Sequence, residues 1–257
     1  MSLSVVLPAA SCRLKPRLGD QPARHKIGLI ALSSDMVTER DFRLMLPSGG
    51  EVIYYTTRVP FRNPVTVENL RRMSSQLAEA ASLILPAGKL DVIAYSCTSA
   101  TVTIGQHEVE AQIRKGRSDV EVVTPIGAAI AAFEACNVTR ISLLTPYTED
   151  VTGAMAAFIA DKGIEVLNFA YFDLVDDQIM AQVTPDSIHD AAVEMIHPDA
   201  EAVFVSCTGI RTAETVNRLE ETLGKPVFCS NQCMFWQSLR ISGYDKPIPG
   251  FGRLLSI

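Results

Sequence analysis

The chain has 257 residues, of which 47% are hydrophobic, and a formal net charge of −6. This length can bury a substantial core, as one large domain or two small ones. The acidic balance disfavours a nucleic-acid partner, and no apolar run reaches the roughly 18 residues of a membrane-spanning helix. Residues 1–25 are predicted to form an N-terminal arm, because their apolar stretch is too short for a secretory signal. We expect a cytoplasmic globular protein with no membrane partner.

From Lys26 onward, short apolar runs alternate with stretches of helical periodicity. Strands are predicted over 27–32, 51–57, 91–96 and 121–123, and again over 140–144, 164–169, 202–206 and 226–228. Helices are predicted over 37–46, 65–85, 99–115 and 125–135, and again over 150–162, 185–196, 212–223 and 232–240. Buried apolar strands that alternate with helices predict parallel sheets covered by helices on both faces.

The two sets of four strands and four helices follow each other in the same order and with similar spacing. They predict an α/β fold of two pseudo-symmetric lobes, each a parallel four-stranded sheet flanked by helices. The first lobe is predicted to comprise 26–135 plus 226–257, and the second 136–225. Ligands of such sheets bind beyond the carboxyl ends of the strands.

Cys97 and Cys207 occupy matching places at these strand ends. Each follows an acidic residue and an apolar run, and each opens a Ser/Thr/Gly stretch typical of a helix start. A helix N-terminus is expected to lower the pKa of a thiol. Its N–H groups, with the hydroxyls of Thr98 and Ser99, would form a cradle for a carboxylate or enolate. One such cysteine alone is typical of a buried strand end, but the matched pair favours chemistry.

The remaining cysteines and the histidines point to no other site. The six cysteines do not resemble a secreted disulfide scaffold, so free thiols are expected. Cys229 and Cys233 lack a second close pair of ligands, so no metal is expected. No dinucleotide, phosphate-loop or pyridoxal-phosphate pattern is present, so no cofactor is expected. None of the four histidines is near either cysteine motif, which leaves acid–base work to the thiols.

Four motifs occur in one order: Ser96–Ala100, Leu144–Tyr147, Ser206–Gly209, and Ser230–Gln232 with Trp236. Together they resemble the aspartate/glutamate racemase superfamily, and within it the branch of maleate cis–trans isomerase and arylmalonate decarboxylase. The resemblance extends from Lys26 to Arg253. Residues 31–42 look most like a subgroup associated with ectoine utilisation.

The resemblance implies a cofactor-free enzyme with its active site between the two lobes. It implies that Cys97 and Cys207 are the catalytic cysteines. The implied substrate-binding groups are Thr98, Ser99, Tyr147 and the backbone at Thr208, to which we add Gly209 from the same motif as Thr208, and Ser34. Decarboxylase members keep only the second-lobe cysteine, so the presence of both disfavours decarboxylation.

Two departures from the maleate isomerases concern charge. Asp35 and Asp177 stand where those enzymes carry asparagine. An ionised aspartate only accepts hydrogen bonds, and like charges cost about 4 kcal/mol at 4 Å and an effective dielectric of about 20. These aspartates would suit an ammonium group, which favours an amino acid or diamino-acid derivative over maleate. Alternatively, Asp35 caps the following helix and Asp177 is a solvated loop residue.

The sequence therefore predicts a cofactor-independent two-cysteine isomerase of a small carboxylate. Racemisation and maleate-type cis–trans isomerisation both remain open. An arylmalonate-type decarboxylase and a non-catalytic metabolite-binding protein are the alternatives. We also expect a homo-oligomer, because apolar helices in enzymes of this size often pair.

Overall fold

A computed structural model describes residues 14–257. Residues 1–13, with Cys12 and the first half of the predicted arm, lie outside the described residues. The strands are β1 His25–Leu32, β2 Val52–Val59, β3 Val92–Tyr95, β4 Glu121–Val123, β5 Arg140–Thr145, β6 Glu165–Tyr171, β7 Ala202–Val205 and β8 Val227–Cys229. The α-helices are α1 Thr38–Met45, α2 Val67–Arg72, α3 Leu77–Leu83, α4 Thr98–Ile104, α5 Gln106–Gly116, α6 Pro125–Ala135, α7 Glu149–Asp161, α8 Asp177–Met180, α9 Pro185–Met195, α10 Val216–Leu223 and α11 Ser230–Ser242.

The strands form two four-stranded parallel sheets with the same order. The first sheet runs β2-β1-β3-β4 and the second β6-β5-β7-β8. Parallel neighbours need crossover connections, and helices supply them in both sheets. The predicted fold class is therefore confirmed, and each predicted strand overlaps an observed one.

The core is continuous from one sheet to the other. Ile27 and Leu29 of β1 belong to a large apolar cluster that includes residues of α6, α11 and the whole second sheet. Ile30 points to the opposite face, where a smaller cluster packs β1 and β3 against α2, α3 and α5. This alternation follows from the two-residue period of a strand. The central strands β1 and β3 are buried on both faces, which explains their largely apolar sequences.

Three predicted helices differ from the observed ones. The helix predicted over 65–85 is two helices, α2 and α3, joined by a 3₁₀ turn at Ser74–Gln76. The helix predicted over 99–115 is interrupted at Gly105, whose φ of 99° is unfavourable for a residue with a side chain. The third helix, α10, starts at Val216 rather than at 212, because the chain after β7 first forms a turn-rich loop.

The chain passes directly from the second sheet to the first near its end. β8 pairs with β7 in the second sheet, so the boundary predicted at 225/226 separates this strand from its own sheet. Helix α11 begins at the next residue and packs on α6, α1, β1 and β3. The Cys229 thiol and the Gln232 side chain form a reciprocal capping box at its start. The division into two lobes, with β8 moved to the second, remains our proposal.

Candidate active site

One cleft lies at the carboxyl ends of strands from both sheets. Its cavity volume is small, about 40 Å³. The residues that line it are Leu32, Ser34, Asp35, Met36, Phe61, Val65, Leu70, Cys97, Ser99, Tyr147, Asp177, Met180, Ala181, Cys207, Thr208 and Gly209. Nine of the ten residues predicted from the sequence are among them, and Thr98 is the exception. The roles predicted for these residues are taken up below as proposals.

Cys97 follows β3 and is the N-cap residue of α4. Its sulfur lies 3.7 Å from Ser99 Oγ, and both the Ala100 backbone N–H and this hydroxyl lower the pKa of the thiol. Burial nevertheless raises the pKa of the thiol to about 11, with a smaller contribution from the charges of Asp35 and Asp177. The net shift of this pKa is therefore upward, opposite to the lowering expected from the sequence. The donors act in the predicted direction, but loss of hydration outweighs them.

Cys207 follows β7 and has a different local setting. The Gly209 N–H donates to its sulfur at 3.1 Å, and the buried Tyr147 hydroxyl is its second hydrogen-bond partner. Burial raises the pKa of the Cys207 thiol to about 12, while these two donors lower it. No helix begins at this cysteine, because the following residues form the loop that precedes α10. Both thiols are thus protonated at neutral pH in the free protein.

The threonines beside the two cysteines face different surroundings. Thr98 is fully buried and its hydroxyl donates to Ser230 Oγ at 3.0 Å, on the side of α11. The predicted place of this hydroxyl in a substrate cradle is therefore wrong, because the first turn of α4 turns it away from the cleft. Thr208 lines the cleft, and its hydroxyl donates to the carbonyl oxygen of Ser96 at 3.3 Å.

Asp35 both caps α1 and lines the cleft. Its Oδ1 accepts from the backbone N–H groups of Val37 and Thr38, at 2.8 and 2.9 Å. Its Oδ2 accepts from Ser96 Oγ at 3.2 Å. Burial raises the pKa of this carboxyl, and the donors hold it down. These contacts agree with the alternative that Asp35 caps the following helix. Its charge is nevertheless close enough to raise the pKa of both thiols.

Asp177 joins loops from the two halves of the chain at the mouth of the cleft. It accepts a hydrogen bond from Ser34 Oγ and another, at 2.6 Å, from Asn63 Nδ2. Nearby, the Val65 N–H donates to the Val175 carbonyl at 2.8 Å. The alternative that Asp177 is a solvated loop residue is wrong, because it is the first residue of α8 and is partly buried.

Buried polar side chains behind the cleft were not singled out by the sequence. Asp41 of α1 is fully buried, and burial raises the pKa of its carboxyl to about 7 although Asn231 donates to it. Thr38 Oγ1 lies 2.6 Å from Ser96 Oγ. The sequence could have indicated Asp41, because it lies on the face of the predicted helix that is otherwise apolar and expected to be buried.

The described residues show no other group with obvious chemistry. Among residues 14–257, no set of three or more His, Cys, Asp or Glu side chains is arranged to hold a metal ion. Cys229 and Cys233 are buried free thiols. None of the helices in this part of the chain has the length and hydropathy of a membrane span.

The fold and this thiol-lined cleft agree with the comparisons with known proteins. The chain matches the family model described as arylmalonate decarboxylase over residues 65–255, and it belongs to that family. It is 27% identical to arylmalonate decarboxylase from Bordetella bronchiseptica over 73% of this chain and 75% of that protein. It is 25% identical to maleate isomerase from Nocardia farcinica over 90% of this chain and 95% of that protein.

A solved structure shows the same fold. The maleate cis–trans isomerase of Nocardia farcinica, captured as a mutant with a covalently bound succinylcysteine intermediate, superimposes with a TM-score of 0.84 at 24% identity. The match covers 90% of this chain and 98% of that one. The protein is therefore an enzyme of the arylmalonate decarboxylase and maleate isomerase family.

Proposed function

We propose that the protein is a cofactor-independent isomerase that uses two cysteines on a small carboxylate. One observation carries the proposal. Cys97 and Cys207 follow equivalent strands of the two sheets, and both line the same cleft. Ser99, Tyr147 and the Gly209 N–H lie beside them and could hold a carboxylate or the enediolate formed from it.

Racemisation would need one thiolate and one thiol. The thiolate would remove the proton from the carbon beside the carboxylate, so that a C–H bond breaks and an S–H bond forms. The electron pair would pass into the carboxylate as an enediolate, held by the neighbouring donors. The thiol on the other side would then protonate the opposite face of the carbon. The two sulfurs would exchange protonation states in each turnover.

The charges of the cleft support a substrate that carries an ammonium group. Both thiols are neutral at rest. The charge of Asp35 disfavours ionisation of both, and the charge of Asp177 disfavours ionisation of Cys97. A bound cation would offset these carboxylates and lower the pKa of a thiol, whereas a dicarboxylate would raise it. We therefore propose an amino acid or a derivative of one as substrate. The narrower resemblance to the ectoine-utilisation subgroup stays a prediction.

Cis–trans isomerisation is the second candidate, favoured by the maleate isomerases among the relatives. In this route the Cys97 sulfur would add to a carbon–carbon double bond beside a carboxylate. Rotation about the resulting single bond and departure of the thiolate would give the other isomer. This route also needs an ionised Cys97.

Decarboxylation is the remaining enzymatic candidate, favoured by the family match and by the two protonated thiols. Loss of CO₂ from a malonate would leave an enediolate, and a neutral Cys207 thiol could protonate it directly. Cys97 has no part in that sequence of steps, which is why we rank decarboxylation below isomerisation.

The deciding experiment follows α-proton exchange by NMR in D₂O over a set of amino acids and N-acyl derivatives. We expect exchange with one of them, lost in Cys97→Ser and Cys207→Ser. Cys136→Ser, outside the cleft lining, is the matched control and should retain it. Formation of fumarate from maleate, without α-proton exchange, would show that the reaction is cis–trans isomerisation rather than racemisation. Release of CO₂ from a malonate would show that it is decarboxylation. If none occurs and alkylation of both thiols leaves ligand binding intact, the protein is a metabolite-binding protein.

A further inference from the structure

A buried amide on α11 reaches the loop that carries Cys207. Asn231 is almost completely buried, and its Nδ2 donates to two acceptors. One is Asp41 Oδ2 at 2.8 Å, and the other is the carbonyl oxygen of Thr208 at 3.0 Å. Thr38 Oγ1 lies 3.4 Å from the Asn231 Oδ1, on the acceptor end of the amide. Neither Asn231 nor Asp41 lines the cleft, so neither can contact a substrate there.

The bond to Thr208 fixes the direction of a peptide group. In a planar trans peptide the C=O and the N–H point in opposite directions. Asn231 holds the Thr208 carbonyl on the buried side. The N–H of the same peptide, which belongs to Gly209, therefore points the other way and donates to Cys207 Sγ at 3.1 Å. With the peptide turned over, a carbonyl oxygen would face the sulfur and oppose its ionisation.

Asp41 determines which end of the Asn231 amide faces Thr208. A carboxylate oxygen accepts hydrogen bonds, so it selects the NH₂ end of the amide. The second hydrogen of that NH₂ group is then free to hold the Thr208 carbonyl. Without an acceptor at Asp41 the amide could turn and present its own oxygen to that carbonyl, which would push the peptide away.

We propose that Asn231, oriented by Asp41, is a positioning residue that keeps the Gly209 N–H directed at the Cys207 thiol. In this way a side chain outside the cleft sets the proton affinity of the sulfur. The proposal rests on the proposed function in assigning Cys207 a chemical role. Its test needs no substrate, so it stands or falls separately from the identity of the reaction.

The test measures alkylation of Cys207 by iodoacetamide at pH 8 in the free protein, by peptide mass spectrometry. Below the thiol pKa the rate follows the thiolate fraction, and loss of a hydrogen bond to a charged group raises the pKa by about one unit. Asn231→Leu, which keeps the branching and the number of side-chain heavy atoms but has no donor, should therefore slow alkylation of Cys207 about tenfold. Alkylation of Cys97 in the same molecule should change by less than about twofold.

Gln232→Leu is the matched control. Gln232 is the neighbouring buried amide of α11, and it bonds to the Phe251 carbonyl at 2.6 Å rather than to Thr208. Its loss should leave Cys207 reactivity unchanged. A purely structural role of Asn231 would loosen the loop, expose the sulfur and accelerate its alkylation. An unchanged or faster rate in folded Asn231→Leu protein therefore overturns the proposal.

A second variant covers the case in which Asn231→Leu does not fold. Asp41→Leu removes the acceptor that orients the amide and leaves Asn231 and Thr208 in place. It should slow alkylation of Cys207 in the same direction, about threefold or more, again relative to Cys97. A Cys207 rate equal to that of the unsubstituted protein would overturn the orienting role of Asp41.

Discussion

The Thr208 hydroxyl donates to the carbonyl oxygen of Ser96 at 3.3 Å, and this bond ties together the two loops that carry the cysteines. Ser96 directly precedes Cys97, and Thr208 directly follows Cys207. The contact is buried and joins residues 112 positions apart in the chain. Each loop therefore supports the other, and the spacing of the thiols depends on both sheets.

Thr208→Val is expected to lower the free energy of unfolding by about 1–2 kcal/mol, because it removes a buried donor from its acceptor. Thr212→Val is the matched control. The Thr212 hydroxyl is buried without a partner among the residues that the structure describes, so its loss should be neutral or stabilising. Urea unfolding with unchanged m-values would measure both. Equal losses in the two variants would contradict a stabilising bond between the loops.

Asp177→Asn is expected to make Cys97 more reactive, because the charge of Asp177 raises the pKa of that thiol. We expect alkylation of Cys97 at pH 8 to accelerate about threefold. Asp176→Asn is the control, since Asp176 caps α8 and does not line the cleft. The same acceleration in both variants would point to loosened loops instead of a charge effect.

Asp41 gives the protein a specific dependence of stability on pH. Its pKa is raised to about 7 in the folded state, so folding takes up a proton between the unfolded value and pH 7. The stabilisation is fully present below about pH 4 and is lost as the pH rises through 7. Arg40 offsets part of this effect, while Glu214 and Asp35 add to it.

Asp41→Asn cannot titrate, so the difference in unfolding free energy from the unsubstituted protein should change with pH. We expect a change of about 3 kcal/mol between pH 5 and pH 8, in favour of the unsubstituted protein at the lower pH. Asp119→Asn is the control, because the pKa of this exposed carboxyl is lowered by Arg117. That substitution should show no change over the same range. Parallel pH profiles for Asp41→Asn and the unsubstituted protein would refute an ionisable buried Asp41.

Tyr147→Phe is expected to slow alkylation of Cys207 about tenfold at pH 8, because the phenol donates to that sulfur and lowers its pKa. Cys97 should react as before. Tyr54→Phe provides the control, since the Tyr54 hydroxyl donates to the Glu39 carbonyl away from both thiols. Faster alkylation of Cys207 in Tyr147→Phe would show that the ring acts mainly as a cover.

The sequence predicted both sheets and most of the cleft, because strand ends can be recognised locally. Cys97 and Cys207 each follow an apolar run, and parallel strands bring such ends together. The break between α2 and α3 was missed, since Ser74 and Ser75 carry no glycine or proline signal. The contact of Asp177 with Ser34 joins residues 143 positions apart, and no local pattern specifies it. Burial also reversed the expected pKa shift of Cys97, and burial depends on the completed fold.

Helix α11 starts at the residue after β8 ends, and this junction restricts how the cleft can open. No linker separates β8 from α11. Movement of the two sheets away from each other would therefore disrupt the capping box at Cys229. Fewer bonds join the two halves at the loops of Ser34, Asn63 and Asp177, where side-chain hydrogen bonds and the Val65–Val175 backbone bond connect them. We therefore expect substrate exchange to depend on these contacts rather than on separation of the two sheets.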